Sequence, residues 1–349
     1  MIEELAQTAS IQLFGHIGDN EVHLVTLKNQ HGTTFQCITY GAIWHSYIIK
    51  DKYNKEVDVV VGPKSLKGYV DQFSKNPYFF GACVGRYAGR ISNGNFTIDG
   101  TTYNLPHQHG VHLHGGNQGL GKKIWKVEQL SEGENPAVTL SCSSIHLEEG
   151  YPGNLQVSVT YTLKENNELL VSFKANCDQD TVLNLTNHAY LNLSGSNILN
   201  DELCIKAEKT LEADEKLLPT GKLLPVTDSA YDFQKKSPIR KIEAIGGLDD
   251  TFVFKSACTE NQVEYSSHKT GIHLKITTNQ PAVVVFAPKN LRFEGTPKQK
   301  WMTEGYPAIC FETQNYPDAP NHKSFPSSVL PKGEIYKSWT SYTFLNSDT

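Results

Sequence analysis

The chain has 349 residues and a formal net charge of −5, with no long Lys/Arg run, so it carries no electrostatic footprint for nucleic acid or an anionic membrane. No stretch approaches the roughly 18 apolar residues of a membrane-spanning helix, and the opening MIEELAQTAS is acidic rather than signal-like. The expectation is a soluble, cytoplasmic protein. Pro/Ser/Gly-rich linkers, internal repeats and low-complexity tracts are absent, and all-β folds routinely exceed about 200 residues as one unit, so a single domain over 1–349 is expected.

In chain order, Ser65 to Phe73 is the best candidate for a short amphipathic helix, and convincing helices are otherwise nearly absent. Phe96 and Ile98, then Asp99-Gly100, then Tyr103 and Leu105 read as a hairpin with a favoured Asp-Gly turn. HQHGVHLHGG follows (His107 to Gly116), a His-rich run ending in a Gly pair that leaves room for close backbone or ligand approach. Val138, Leu140 and Cys142 alternate as a strand. Leu155, Val157, Val159, Tyr161 and Leu163, a polar break, and Leu169, Val171, Phe173 and Ala175 give two strands and a turn. Val283 to Phe286 and Trp339, Tyr342 and Phe344 add more. Many short strands without intervening helices predict an antiparallel sandwich or Greek-key barrel. The seven cysteines are scattered without a CxxC pair and read as buried, reduced thiols.

Three polar clusters stand out against this background. NLTNHAYLNL, Asn184 to Leu193, reads as one strand in which His188 shares a face with Tyr190 and Thr186. His188 is either a functional group or a buried imidazole satisfied by neighbouring hydroxyls. CFETQNYPDAPN, Cys310 to Asn321, places Glu312 after an apolar run, at the edge of a buried strand or at a solvent-facing strand end. The histidines at 107, 109, 112 and 114 invite a metal reading, but no Cys or acidic ligand accompanies the tract.

Taken with LHGG, NLTNHAYLNL and ETQNYPDA, the supporting runs FGACVGRYAGRISNGNFTIDGTTYNL, EEGYPGNLQVSVTYTL, LPTGKLLPV, GLDDTFVF and TTNQPAVVVF make the chain resemble the galactose mutarotase (aldose 1-epimerase) family over nearly its whole length. The resemblance implies a large antiparallel β-sandwich with few short helices, of the galactose mutarotase-like kind. It also implies an isomerase that interconverts sugar anomers without metal or cofactor. Its partner would be a monosaccharide, galactose and glucose foremost, in a monomer or homodimer. Glu312 would take the C1 hydroxyl proton and His188 would give one to the ring oxygen. His114 would lie beside His188, Arg90 would donate to the sugar, Asp249 would accept from its hydroxyls, and Gln280 would help orient the ring.

Residue by residue, other fates are open. Arg90 reads equally as a surface strand residue, with Arg86 its rival, and Asp249 as part of a solvated turn. Trp44, Tyr87 and Tyr190 suit core packing better than sugar stacking. The sequence departs from the family at Gly89, where Asn is usual, at Leu191, where an aromatic is usual, and at Asp250-Thr251, where His-Asn is frequent. These departures bear on substrate preference, because a site built to pair a hydroxyl discriminates strongly when a partner is lost. Three rival activities use the same residues: a hexose-phosphate epimerase, for which Lys122 and Lys123 are the available cations; a silent sugar-binding module; and a glycoside hydrolase pairing Glu312 with Asp249.

Overall fold

The computed structural model describes residues 7–255, 259–299 and 305–346. The alternation at 155–175 becomes the antiparallel pair Leu155–Leu163 and Glu168–Cys177, in register from Leu155 opposite Cys177 to Leu163 opposite Leu169. These two strands sit inside a nine-stranded sheet. From Lys126–Ser131 it runs through Ala137–Ser144, this pair, Ile335–Asn346, Ile272–Thr278 and Val263–Ser266, and ends on Glu202–Ile205 and Ser237–Pro238. A seven-stranded sheet packs against it, in the order Pro219–Pro225, Ala207–Ala213, Gly247–Phe254, Ala282–Pro288, Ile309–Gln314, Tyr190–Leu191 and Val60–Val61. A five-stranded sheet from Ala9 to Asp58 adds Val25, Phe35 and Trp44 to the same core. All the sheet pairings are antiparallel, as the expected sandwich requires.

Period-two patterning joins the sheets. Phe252, Val283, Val285 and Phe311 of the seven-stranded sheet share one buried cluster with Val159, Phe173, Tyr265 and Tyr342 of the nine-stranded sheet. The rings of Tyr265 and Phe311 lie 5.9 Å apart across this interface. The strand Ile43–Lys50 adds Trp44 and Tyr47, whose rings lie 5.1 Å from Tyr342 and 4.2 Å from Phe344. Trp44 is therefore a core residue. Tyr87 is one too, its hydroxyl donating to the Tyr316 carbonyl and accepting from the Ala319 N–H. Burying a side chain of this kind contributes about 1.5–3 kcal/mol, which is why the interior positions are so uniformly apolar.

The helix forms over Leu66–Lys75, with Ser65 capping its first turn by accepting from the Gly68 N–H and with Leu66, Tyr69 and Phe73 turned inward. Asn95–Ile98 and Thr101–Asn104 make the expected hairpin, and Asp99 and Gly100 take the positive φ angles (48° and 79°) that its two-residue turn needs. Of the cysteines, Cys37, Cys83, Cys177 and Cys310 are buried and Cys142 and Cys204 partly so, all six unpaired; Cys258 lies outside the described residues. No helix among the described residues is long and apolar enough to cross a membrane.

Two expectations are corrected. Asn184 to Leu193 is not one strand. Thr186–Asn187 pairs with Cys83–Val84, and Tyr190–Leu191 pairs with both Ile309–Gln314 and Val60–Val61. The chain crosses between sheets at His188, so a single two-residue period could not hold. Most polar side chains of the run bond loop backbone: Asn184 to Ala88 and Asn315, Asn187 to Gly81, Asn192 to Pro307. Glu312, in turn, sits within its strand and is 3% exposed, neither at an edge nor in solvent.

Arg86 is the other long buried anchor. Its guanidinium donates to Ser144 Oγ and to the carbonyls of Ser144, Ile145, Pro152 and Gly153, tying two loops to the sheet. Arg86→Met leaves those acceptors without donors at about 1–3 kcal/mol each, in part relieved by water. The expected loss is about 3 kcal/mol or more in urea unfolding, with Arg86→Lys only partly restoring it. A Met variant within about 0.5 kcal/mol of the parent would refute this anchoring role.

Candidate active site

The strand faces turned away from the core build the floor of a cavity of about 220 Å³. Register decides who faces it: Asp249 stands opposite Phe286, Thr251 opposite Val284, and Val284 opposite Glu312. Alternation then puts Asp249, Thr251, Val284, Phe286, Glu312 and Gln314 on one side and the core residues on the other. All six line the cavity. That volume is below the roughly 300–1,000 Å³ typical of drug-sized ligand sites, and suits a single sugar ring.

Loops from outside the sheet close the opposite wall. His188 is held by its own backbone, its N–H donating to the Ala82 carbonyl and its carbonyl accepting from Gly81. Its ring stacks on Tyr190, centroids 5.1 Å apart, and turns an edge to His114 at 5.4 Å. Tyr190 itself is fixed by donating to the Tyr78 carbonyl. His114 and Gly89 clamp each other: the His114 N–H donates to the Gly89 carbonyl, and the Gly89 N–H donates to His114 Nδ1 at 3.2 Å. With Nδ1 accepting, the ring proton belongs on Nε2. Burial, helped by the neighbouring His188 and Arg90, holds the His114 pKa well below the ordinary imidazole value. His114 is thus a neutral donor.

The centre is a carboxyl beside an imidazole, His188 Nε2 lying 3.4 Å from Glu312 Oε1. The distance alone would permit an ion pair. Burial instead pushes Glu312 well above the carboxylate range, an effect that the Asp249 charge reinforces and Arg90 partly opposes. Burial also lowers His188 to about 4. Burial therefore favours a neutral pair carrying one proton, seated on Glu312. Arg90 donates to Asp249 Oδ2 at 3.1 Å, which fixes the guanidinium in the cleft wall. Next to it, burial and the Asp249 charge raise Asp250 to about 6, against hydrogen bonds from the Asp249 N–H and Tyr231.

Five of the six residues singled out from sequence, Glu312, His188, His114, Arg90 and Asp249, line this one cavity; Gln280 does not. Gln280 lies on the turn between Ile272–Thr278 and Ala282–Pro288, where its amide donates to Asn279, beside a separate hollow with Leu183 and Asn315. A turn that crosses from one sheet to the other faces away from the cleft, and spacing within TTNQP does not reveal that. Sequence reasoning assigned no site role to Gln314 or Val284, although the two-residue step from Glu312 points to Gln314, and it named Thr251 only as a departure from the family pattern. Of the His-rich tract, His107 and His109 are exposed, and His112 is held by the Pro106 carbonyl and the Tyr151 hydroxyl. The Gly pair serves backbone approach: a Cβ on Gly115 would fall 1.9 Å from the Gly85 carbonyl oxygen. His114, His188 and Glu312 do place potential ligand atoms within 4.8 Å of one another, a geometry that a metal ion could use.

The aldose 1-epimerase family profile matches residues 23–343. The chain is 40% identical over 318 residues to the galactose mutarotase of Rattus norvegicus, covering 88% of this chain and 90% of that one. It is 34% identical over 336 residues to the aldose 1-epimerase of Haemophilus influenzae, covering 92% and 95%. Among solved structures, the galactose 1-epimerase of Lactobacillus acidophilus superposes with a TM-score of 0.85 at 25% identity, covering 98% of this chain and 99% of that one. An aldose epimerase homologue from C. elegans gives 0.84 at 31%, covering 92% and 98%.

The clamp on His114 has a spectroscopic consequence. Nitrogen-15 NMR of the free protein should show His114 neutral and protonated on Nε2 across the range around pH 6.5 in which an ordinary imidazole gains its charge. A titration near 6.5, or an Nδ1–H tautomer, would contradict the Gly89 contact.

Proposed function

The chain belongs to the aldose 1-epimerase family and is an isomerase that interconverts sugar anomers; on that premise we propose that it acts on free hexoses, galactose and also glucose, through Glu312 and His188. The observation that carries this reading is the buried Glu312–His188 pair in a cavity of ring size. Changing anomer requires the C1 hydroxyl to lose a proton while the ring oxygen gains one, after which the ring opens, the aldehyde turns about C1–C2, and the ring closes. A single proton shared by a carboxyl and an imidazole suits this exchange. A bound sugar offers its C1 hydroxyl to the carboxylate and its ring oxygen to the imidazolium. These contacts stabilise the charged arrangement that the empty cleft disfavours. Each positioned proton transfer is worth roughly 10²- to 10⁴-fold.

His114 contributes a neutral N–H toward the ring oxygen or a neighbouring hydroxyl, while Arg90 and Asp249 supply a donor and an acceptor that already hold each other in place. In the reverse reaction acid and base exchange roles. Phosphorylated hexoses find little support. Arg90, tied to Asp249, is the one Lys or Arg among the described residues that line the cavity, and Lys123 is paired with Glu148 outside it. Silent binding would leave the acid and base pair without a purpose.

Optical rotation of freshly dissolved α-D-galactose and α-D-glucose tests the assignment. Wild type should hasten equilibration, Glu312→Gln should fall by at least about 10²-fold toward the uncatalysed rate, and a chelator should leave the wild-type rate unchanged. No acceleration of either sugar by folded wild type would sink the substrate assignment, and loss of activity with the chelator would sink the metal-free mechanism.

The pH profile of kcat/KM follows from the shared proton. The working pair holds one proton, so activity should persist down to about pH 4, where His188 takes a second, rather than failing near pH 6.5 as an ordinary imidazole would make it do. On the alkaline side Glu312 releases the proton, and because its pKa is raised the decline should begin well above the carboxylate range. An acid limb centred near 6.5 would show that His188 does not carry the charge in the assigned way.

A further inference from the structure

Gln314 is wholly buried, it lines the same cavity as Glu312, and neither its amide nitrogen nor its amide oxygen has a hydrogen-bond partner. Among the described residues it is the one buried side-chain amide with neither end paired to the protein. A buried amide that finds no partner within the protein is the kind of group a ligand in the cavity satisfies. It stands two residues from Glu312 on the same strand face, so the fold aims it into the cleft. Gly89 leaves it room: a Cβ at position 89 would come within 3.2 Å of Gln314 Nε2 and of Pro317. On the same floor, Val284 and Phe286 offer nothing polar.

We propose that Gln314 recognises the sugar, its amide donating to one hydroxyl and accepting from another, and so discriminates among hexoses in the space that Gly89 leaves open. An amide presents a donor and an acceptor about 2 Å apart, a pattern that matches hydroxyls on adjacent ring carbons. The partner is therefore the vicinal diol of a free aldose. This inference rests on the aldose reading of the cleft. Because no protein group satisfies the amide, a pair of sugar hydroxyls gives it partners that the fold itself does not supply.

Gln314→Met, similar in length but without the amide, separates recognition from mere structure. The assays are mutarotation of galactose, glucose and the 2-, 3-, 4- and 6-deoxygalactoses, equilibrium binding of galactose by calorimetry, and the Tm of the free protein. The expected result is a roughly 10- to 100-fold loss in kcat/KM and affinity for galactose, shrinking to about twofold or less for at least one deoxy sugar, with Tm unchanged or raised. An equal loss across all sugars, no loss on galactose, or a Tm lowered by several degrees would overturn the proposal. Calorimetry keeps the two readings apart. If wild type binds galactose without turning it over, the catalytic reading fails while the binding comparison still decides Gln314; if wild type binds no sugar, both fail.

Discussion

Strand register is the constraint on which this molecule most depends. The strands Gly247–Phe254, Ala282–Pro288 and Ile309–Gln314 each serve two environments at once, with Leu248, Phe252, Val283, Val285 and Phe311 sealed in the core and the intervening residues facing the cleft. A slip of one residue would drive the Glu312 carboxyl into the apolar interior and expose Phe311 in the cavity. The penalty on both sides is large, so the core that stabilises the fold also fixes where the chemistry stands. Tyr190–Leu191, paired to Ile309–Gln314 on the other edge, extends the same control to the turn that carries His188.

The electrostatics of the cleft follow from placing three carboxyls, Glu312, Asp249 and Asp250, with one guanidinium in a partly dry cavity. They cannot all ionise cheaply. Arg90 engages Asp249, and burial, reinforced by the Asp249 charge, raises the proton affinities of the other two. Lowered affinities at His188 and His114 complete the arrangement: the imidazoles stay neutral while Glu312 holds its proton. The proton exchange that the chemistry needs runs along the line from Glu312 to His188, 3.4 Å apart.

Much of this was legible in the sequence, and the misses are instructive. Alternation marked the long strands, Ser65 marked the start of the helix, and Asp99-Gly100 marked a hairpin, because each is a local rule acting within a few residues. Motif register favoured Arg90 over Arg86, and the structure shows the difference: Arg86 is buried against loop carbonyls while Arg90 reaches the cleft. The break at His188 was hidden because three different pairing partners meet there, and pairing is a long-range property. Gln280 was misplaced for a related reason, since the direction of a turn between two sheets is set by the packing of those sheets. The burial of Glu312 and the empty hydrogen-bonding capacity of Gln314 belong to the assembled cavity, and neither can be read from neighbours in sequence.

The reciprocal clamp between Gly89 and His114 has a consequence for how such a site can change over evolutionary time. Position 89 holds φ at +82°, so any replacement must accept a left-handed backbone while still giving its N–H to the imidazole. Apart from glycine, asparagine and aspartate are the residues that tolerate this conformation best, and aspartate would bring a fourth carboxylate to a cavity already crowded with three. Drift at this position is thereby confined almost to an exchange between glycine and asparagine. The backbone turns a gradual search through side chains into a choice between two states, one with an amide at the mouth of the cleft and one without.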